Sequence, residues 1–187
     1  MKATDVLGVL GALEAQEVPH YVAGGWGVDA LLGRQSRSHD DLDVAIDDYE
    51  NEAKRAIDAL EPLGFRLVSA TEQRAWMPRL SILDDGAGHR VELVSLDWRI
   101  LAREFGQSGS DGSAHEAFEH LVYTEGTLGG QRVPCLSAEV QLLYHIGFEL
   151  SPTLQHDVSL LRDELGASLP DPHEQPQVLK HPDADSA

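Results

Sequence analysis

The chain has 187 residues, of which 42% are hydrophobic. This length and composition are typical of one soluble domain with its own core, with or without a small helical appendage. The 14 Lys and Arg residues against 32 Asp and Glu residues give a formal net charge of −18, which argues against nucleic acid as a partner. An acidic surface attracts cationic small molecules, although the same charge also serves solubility alone.

Two further features restrict the class of protein. No apolar stretch approaches the roughly 20 residues that span a bilayer, and the N-terminus lacks the pattern of a signal peptide. We therefore expect a cytoplasmic protein with no membrane partner. The single cysteine, Cys135, excludes an internal disulfide framework and a multi-cysteine zinc site, and we interpret it as a small buried residue at the end of a strand.

Hydrophobic periodicity and turn residues predict the elements in chain order. The first helix covers residues 4–17, with Thr4 as its N-cap, and is followed by a strand at 20–24 and a helix at 26–32 that Gly33 ends. Then come a strand at 42–46, a helix from 47 or 48 to about 63, and strands at 65–70, 79–83 and 90–94, the last two joined by a hairpin turn. A long surface loop at 98–119 precedes a second hairpin at 121–128 and 131–135. Ser137 then caps one C-terminal helix, and a second helix follows Pro152.

The most informative segment runs from Gly24 to Asp43. The pair Gly24-Gly25 stands at a strand-to-helix turn, where backbone N–H groups can approach phosphate oxygens. Asp41 and Asp43 are two residues apart beside the next strand, so both carboxylates face the same side, about 7 Å apart along the chain. Carboxylates so placed can share hard cations such as Mg²⁺. The segment predicts a site for a metal-bound triphosphate and therefore nucleotide chemistry.

This segment resembles the start of the small nucleotidyltransferases that inactivate antibiotics, in particular the lincosamide nucleotidyltransferases and the aminoglycoside 2″-adenylyltransferases. The similarity spans roughly residues 4–165 and is carried by GGWGVD (24–29), GR (33–34), RSHDDLD (37–43), RVPCLS (132–137), QLLYHIGFE (141–149) and HD (156–157). The resemblance implies a fold like that of DNA polymerase β. It also implies transfer of a nucleoside monophosphate, usually AMP from ATP, to a hydroxyl of a small molecule, with release of pyrophosphate.

The resemblance also assigns site residues. Asp41 and Asp43 would bind two Mg²⁺ ions, and Gly24 and Gly25 would cradle the triphosphate. A third carboxylate on a neighbouring strand would hold the catalytic metal or accept the proton of the acceptor hydroxyl, and Glu92 stands at that position. Many relatives have Asp there, often followed by Leu or Ile and then His-Pro, whereas this chain has Glu92-Leu93-Val94-Ser95. Glu reaches one methylene further and could still act, or could instead pair with an arginine on the sheet.

Several other polar residues have two interpretations. Arg37 binds the triphosphate or pairs with carboxylates to hold its loop. Asp29 and His39 are interpreted as residues that orient or hydrogen-bond within that loop. Four C-terminal side chains of types that can bind metals are interpreted as acceptor contacts or helix packing rather than as a zinc site: His145, Glu149, His156 and Asp157. The three tryptophans are interpreted as core residues or acceptor contacts: Trp26, Trp76 and Trp98.

The predicted fold class is α+β: a mixed α/β, polymerase-β-like nucleotidyltransferase core of about five strands with flanking helices and a small C-terminal helical region. Residues 1–100 form that core, and residues 101–166 form an acceptor-side loop, hairpin and C-terminal helices. Residues 167–187, rich in proline, form a disordered tail.

Three functions are consistent with these patterns. The first is a Mg²⁺-dependent enzyme that uses ATP or another NTP and a small hydroxylated, cationic acceptor such as a lincosamide or an aminoglycoside, acting as a monomer or homodimer. The second is the nucleotidyltransferase component of a toxin–antitoxin pair, acting on a protein. The third is a nucleotide-binding protein that has lost catalysis, for which the altered sequence around Glu92 is the motive.

Overall fold

A computed structural model of the chain describes residues 1–46, 48–72, 79–96, 122–146 and 151–168. The helices are α1 (Ala3–Ala15), α2 (Gly24–Leu32), α3 (Tyr49–Leu60), α4 (Ala138–Ile146) and α5 (Pro152–Asp163), with a 3-10 turn at Glu61–Leu63. The strands are β1 (His20–Ala23), β2 (Asp41–Ile46), β3 (Arg66–Glu72), β4 (Arg79–Asp84), β5 (Arg90–Ser95), β6 (Tyr123–Leu128) and β7 (Gln131–Leu136).

The described strands form one mixed sheet in the order β3-β4-β5-β2-β1-β7-β6. The hairpins β3–β4, β4–β5 and β6–β7 are antiparallel, as is β1 against β2, whereas β2–β5 and β1–β7 are parallel. The predicted α+β class is confirmed. The five strands predicted for the core are β1–β5, and the second predicted hairpin extends the same sheet through β7 beside β1.

The sheet separates two apolar clusters, as the alternation of buried residues along its central strands requires. On one face, α1 and α3 pack against alternate residues of β2 and β5; this cluster includes Val6, Leu13, Leu60, Leu42, Val44 and Leu93. On the other face α4 packs through Val140, Leu143 and Tyr144 onto Ala23, Ala45 and Val94. A third cluster joins α2, α4 and α5 through Val28, Leu142, Val158 and Leu161. Asp41 and Asp43 alternate with Leu42 and therefore belong to the face that α4 covers.

The predicted helices and strands are confirmed except at some of their ends. Helix α2 begins at Gly24 and not at Trp26, so the glycine pair is its first turn. Helix α1 has Lys2, not Thr4, as its N-cap, and the helix after Asp48 ends at Leu60 in a 3-10 turn. Gly33 ends α2 in the left-handed conformation, as predicted.

The 98–119 loop, Trp76, Trp98, Glu149 and residues 169–187 of the predicted tail lie outside the described residues. Ala167, which we placed in the tail, is buried against α5 and donates its N–H to the Leu161 carbonyl. Among the described helices, none is both long enough and apolar enough to cross a membrane.

Candidate active site

Three carboxylates lie on one face of the sheet at its centre. Asp41 and Asp43 alternate along β2, and Asp43 is the register partner of Glu92 on the parallel strand β5. Register partners on adjacent strands are about 4.8 Å apart in the hydrogen-bonding direction and point to the same side. The predicted set of acidic residues is therefore brought together, although Glu92 comes 49 positions after Asp43 in the chain.

Tyr144 and Gly24 lie beside the two carboxylate oxygens of Asp43. Tyr144 donates its phenolic hydrogen to Oδ1 at 2.6 Å. Oδ2 lies where a Cβ atom on Gly24 would stand, and Gly24 has a positive φ of 61°. A side chain at position 24 would therefore collide with the carboxylate as well as strain the backbone.

The electrostatics of this face favour a cation. Burial, together with the negative charges of Glu92 and Asp41, raises the pKa of Asp43 well above its usual range. The three groups offer only oxygen donors, which Mg²⁺ prefers. Over the described ranges, no three His, Cys, Asp or Glu side chains converge closely enough to ligate an ion as a set. The donor chemistry thus fits a hard cation, with phosphate oxygens as the natural source of further ligands.

Helix α2 begins directly beside Asp43. Its first residues, Gly24 and Gly25, follow the last residue of β1, and Ala23 is the register partner of Asp43. The first N–H groups of a helix have no partner within it and form the positive end of the helix dipole. An anion is therefore favoured at the start of α2, next to the carboxylates.

The segment between α2 and β2 is held by Asp29, which is fully buried. One carboxylate oxygen accepts hydrogen bonds from the Ser36 N–H at 2.8 Å and the Ser36 hydroxyl at 2.5 Å. The other accepts from Nε2 of buried His39 at 2.5 Å. The interpretation of Asp29 and His39 as residues that orient the loop agrees with these contacts.

Arg37 reaches the C-terminal helix α5. Its Nε and Nη2 donate to the two oxygens of Asp157 at 2.9 Å and 2.6 Å. A Cβ atom on Gly25 would collide with the Arg37 guanidinium and the His39 ring, so Gly25 makes room for both. These contacts favour the second interpretation of Arg37, that it holds its loop, because the donors on one edge of the guanidinium are occupied by Asp157.

His145 and Asp157, which the sequence associated with packing or acceptor contacts, lie together between α4 and α5. His145 donates from Nδ1 to the Gln141 carbonyl at 2.7 Å, and its Nε2 lies 3.4 Å from Asp157 Oδ2. Both side chains are buried, whereas His156 is exposed. Among these described residues the arrangement is an internal hydrogen-bond network, and it matches the helix-packing interpretation.

Tyr144 and Gln141 were missed as site residues. Gln141 donates from Nε2 to the Val22 carbonyl at 3.3 Å and lies against Gly27, where a Cβ atom would overlap it. Tyr144 and Gln141 are three residues apart and so share a helix face, a spacing that was visible in the sequence. The spacing could not show that this helix face packs on the segment from Gly24 to Asp43, the glycine and aspartate segment.

Two predicted structural residues are confirmed. Trp26 is 1% exposed and its ring lies 4.6 Å from that of His39. Cys135 is fully buried, and burial raises the pKa of its thiol to about 12. Neither residue has the exposure expected of a reacting group.

Comparison with known proteins agrees with this geometry. A family model described as aminoglycoside-2''-adenylyltransferase matches residues 5–161. A lincosamide resistance protein of Staphylococcus haemolyticus is 29% identical over 162 residues, which cover 82% of this chain and 90% of that protein. A 2''-aminoglycoside nucleotidyltransferase of Escherichia coli is 28% identical over 132 residues, which cover 70% of this chain and 65% of that protein.

Solved structures show the same fold. The lincosamide antibiotic adenylyltransferase LnuA with lincomycin bound superimposes with a TM-score of 0.61 at 25% identity, covering 85% of this chain and 95% of that one. The complex of ANT(2'')-Ia with adenylyl-2''-tobramycin gives a TM-score of 0.59 at 20% identity, covering 88% and 89% of the two chains. With most of its length matched by one family model, the chain belongs to the aminoglycoside-2''-adenylyltransferase family and is a nucleotidyltransferase.

Proposed function

We propose that the protein transfers AMP from ATP to a hydroxyl group of a lincosamide or aminoglycoside antibiotic, in a Mg²⁺-dependent reaction that releases pyrophosphate. The observation that carries the proposal is the placement of Asp43 beside Glu92, with Asp41 on the same face, at the N-terminus of α2. Relatives that modify or confer resistance to these two antibiotic classes support the acceptor. ATP is the donor because the related structures are adenylyltransferases.

In this proposal the donor binds between the central strands of the sheet and the start of α2. The triphosphate would bind at the first turn of α2, where Gly24 and Gly25 contribute backbone N–H groups at the helix N-terminus. Asp41, Asp43 and Glu92 would hold the metal ions. When bound, Mg²⁺ supplies charge neutralisation for the triphosphate and the leaving pyrophosphate. The protein's own contribution is mainly to position the reactants.

The transfer step is a displacement at phosphorus. The acceptor oxygen forms a bond to the α-phosphorus while the bond to the β-phosphate oxygen breaks, and pyrophosphate leaves with the electron pair. The acceptor proton passes to a carboxylate, and we assign this role to Glu92, the register partner of Asp43 on β5. Glu92 thus takes the part that Asp plays in many relatives.

The proposal is tested by pyrophosphate release with ATP and Mg²⁺ over a panel of lincosamides and aminoglycosides. We expect release only when an accepted antibiotic is present, and loss of at least about a hundredfold in rate with Asp41→Asn or Asp43→Asn, since each removes a charge from the metal site. Asp58→Asn is the matched control, because Asp58 is an exposed carboxylate on α3 that pairs with Lys54. Full activity in both site variants would refute the mechanism.

A further inference from the structure

Tyr144 lies on α4, 101 positions after Asp43 in the chain, yet its phenol contacts that carboxylate. We propose that Tyr144 is a positioning residue for nucleotidyl transfer, whose hydroxyl fixes the orientation of the Asp43 carboxylate on the face where the metal-bound donor lies. This inference rests on the proposed function and deepens it. It concerns a residue that neither touches the reacting atoms nor belongs to the glycine and aspartate segment.

The first support is the hydrogen bond itself. Tyr144 Oη donates to Asp43 Oδ1 at 2.6 Å, a short distance typical of a hydroxyl bonded to a carboxylate. Each carboxylate oxygen accepts at two sites, so Oδ1 keeps a second acceptor position for a cation. The phenol can therefore hold the group without consuming its capacity to bind metal.

The second support is the position of Gly24 beside the other oxygen of the Asp43 carboxylate. The terminal torsion of an aspartate is broad, so the group rotates unless its surroundings prevent it. Oδ2 of Asp43 occupies the space that the missing Cβ of Gly24 leaves open. Gly24 therefore admits one oxygen while Tyr144 binds the other, and together they select one orientation.

The third support is the rigidity of the helix that carries the phenol. Tyr144 is 7% exposed and packs with Ala23 and Ala45. On either side of it, Gln141 donates to the Val22 carbonyl and His145 lies beside Asp157. These contacts tie α4 to β1 and α5, so the phenol has little freedom to leave Asp43.

The test is Tyr144→Phe, which removes the hydroxyl and keeps the ring. The matched control is Tyr49→Phe: Tyr49 is on α3, and its hydroxyl bonds to the Ser81 hydroxyl at 2.5 Å, away from the carboxylates. Calorimetry measures binding of Mn²⁺ together with a non-hydrolysable ATP analogue, and steady-state assays measure kcat and the KM for the antibiotic. Circular dichroism melting checks that both variants are folded.

We expect Tyr144→Phe to bind the metal–nucleotide about tenfold more weakly and to lower kcat by about tenfold or more, since a hydrogen bond to a charged group is lost. The KM for the antibiotic should not change. Tyr49→Phe should leave all three quantities at wild-type values. Wild-type binding and kcat in Tyr144→Phe, or equal losses in both variants, would overturn the proposal.

A second measurement does not depend on the stability of the variant. The wild-type protein is labelled with 3-fluorotyrosine, and the resonance of Tyr144 is assigned by replacing the other three of the four tyrosines in turn. We expect the Tyr144 resonance to shift when Mg²⁺ and the analogue are added. An unmoved resonance in protein that binds the nucleotide overturns the role of Tyr144, whereas wild-type protein that binds no metal–nucleotide overturns the proposed function.

Discussion

Asp157→Asn removes the negative charge from the ion pair that joins α5 to the loop before β2. The Asp157 side chain is 0% exposed and Arg37 is 23% exposed. Breaking a buried pair from one side costs about 3–5 kcal/mol, because the other charge stays buried without its partner. Arg37 retains some access to water and asparagine retains one acceptor oxygen, so we expect the free energy of unfolding to fall by about 2–3 kcal/mol.

The assay is urea unfolding of wild type and variant, with Glu164→Gln as the control. Arg34 and Glu164 connect nearly the same two segments, at 2.7 Å, but their side chains are 52% and 44% exposed. Exposed pairs contribute about 0–1 kcal/mol, so this control should change little. If the two variants lose the same stability, burial does not give the Arg37–Asp157 pair its strength and the reasoning is wrong.

The pH dependence supplies a second check on the same pair. Burial by itself raises the pKa of Asp157. The hydrogen bonds and charges of Arg37 and His145 lower the pKa by more than burial raises it, so the pKa lies well below its usual range. A carboxyl group whose pKa is lowered in the folded state stabilises the fold at pH values above its unfolded-state pKa of about 4. This stabilisation is lost as the pH falls below that value. The stability difference between wild type and Asp157→Asn should therefore shrink below about pH 4, and a difference that grows there would contradict the assignment.

Three other substitutions or treatments have defined outcomes. Gly24→Ala should abolish measurable turnover, because its Cβ atom would overlap Asp43 Oδ2 and its φ is positive; rates near wild type would refute this. Gly126→Ala should lower stability by about 1–3 kcal/mol in urea unfolding, since its Cβ atom would lie 2.7 Å from the Ala30 backbone on α2, and an unchanged midpoint would count against that close packing. Cys135, with a pKa of about 12, should react with iodoacetamide at pH 8 only after unfolding, and rapid labelling of the native protein would contradict its burial.

Local signals predicted much of the fold. The turn at Gly129-Gly130 predicted the β6–β7 hairpin, and Pro152 predicted the start of α5. The N-cap of α5, Ser151, was not predicted; it accepts from the Leu154 N–H at 3.2 Å. The start of α2 was misplaced because two glycines have low helix propensity, whereas at the first turn they are required by Asp43, Arg37 and His39.

The sequence pattern could not predict which strands pair when they are distant in the chain. That β7 lies beside β1, through Val22 and Cys135, places the second hairpin in the main sheet, and no local signal specifies it. Of the site, Asp41 and Asp43 follow from the period of a strand, and Glu92 from resemblance to a family. The contacts of Tyr144 with Asp43 and of Arg37 with Asp157 join residues more than a hundred positions apart and require the packed fold. The cytoplasmic location, the monomeric or homodimeric state and the disorder of the tail stay predictions.

We propose that Asp41, Asp43 and Glu92 support transfer of AMP to an antibiotic. This proposal is tested most directly by mass spectrometry of lincomycin and tobramycin after incubation with ATP, Mg²⁺ and wild-type, Asp43→Asn, Glu92→Gln or Asp58→Asn protein. We predict that wild type and Asp58→Asn add one AMP unit to at least one of these antibiotics, and that Asp43→Asn and Glu92→Gln do not. The same adduct formed at wild-type rate by Asp43→Asn and Glu92→Gln would contradict the account.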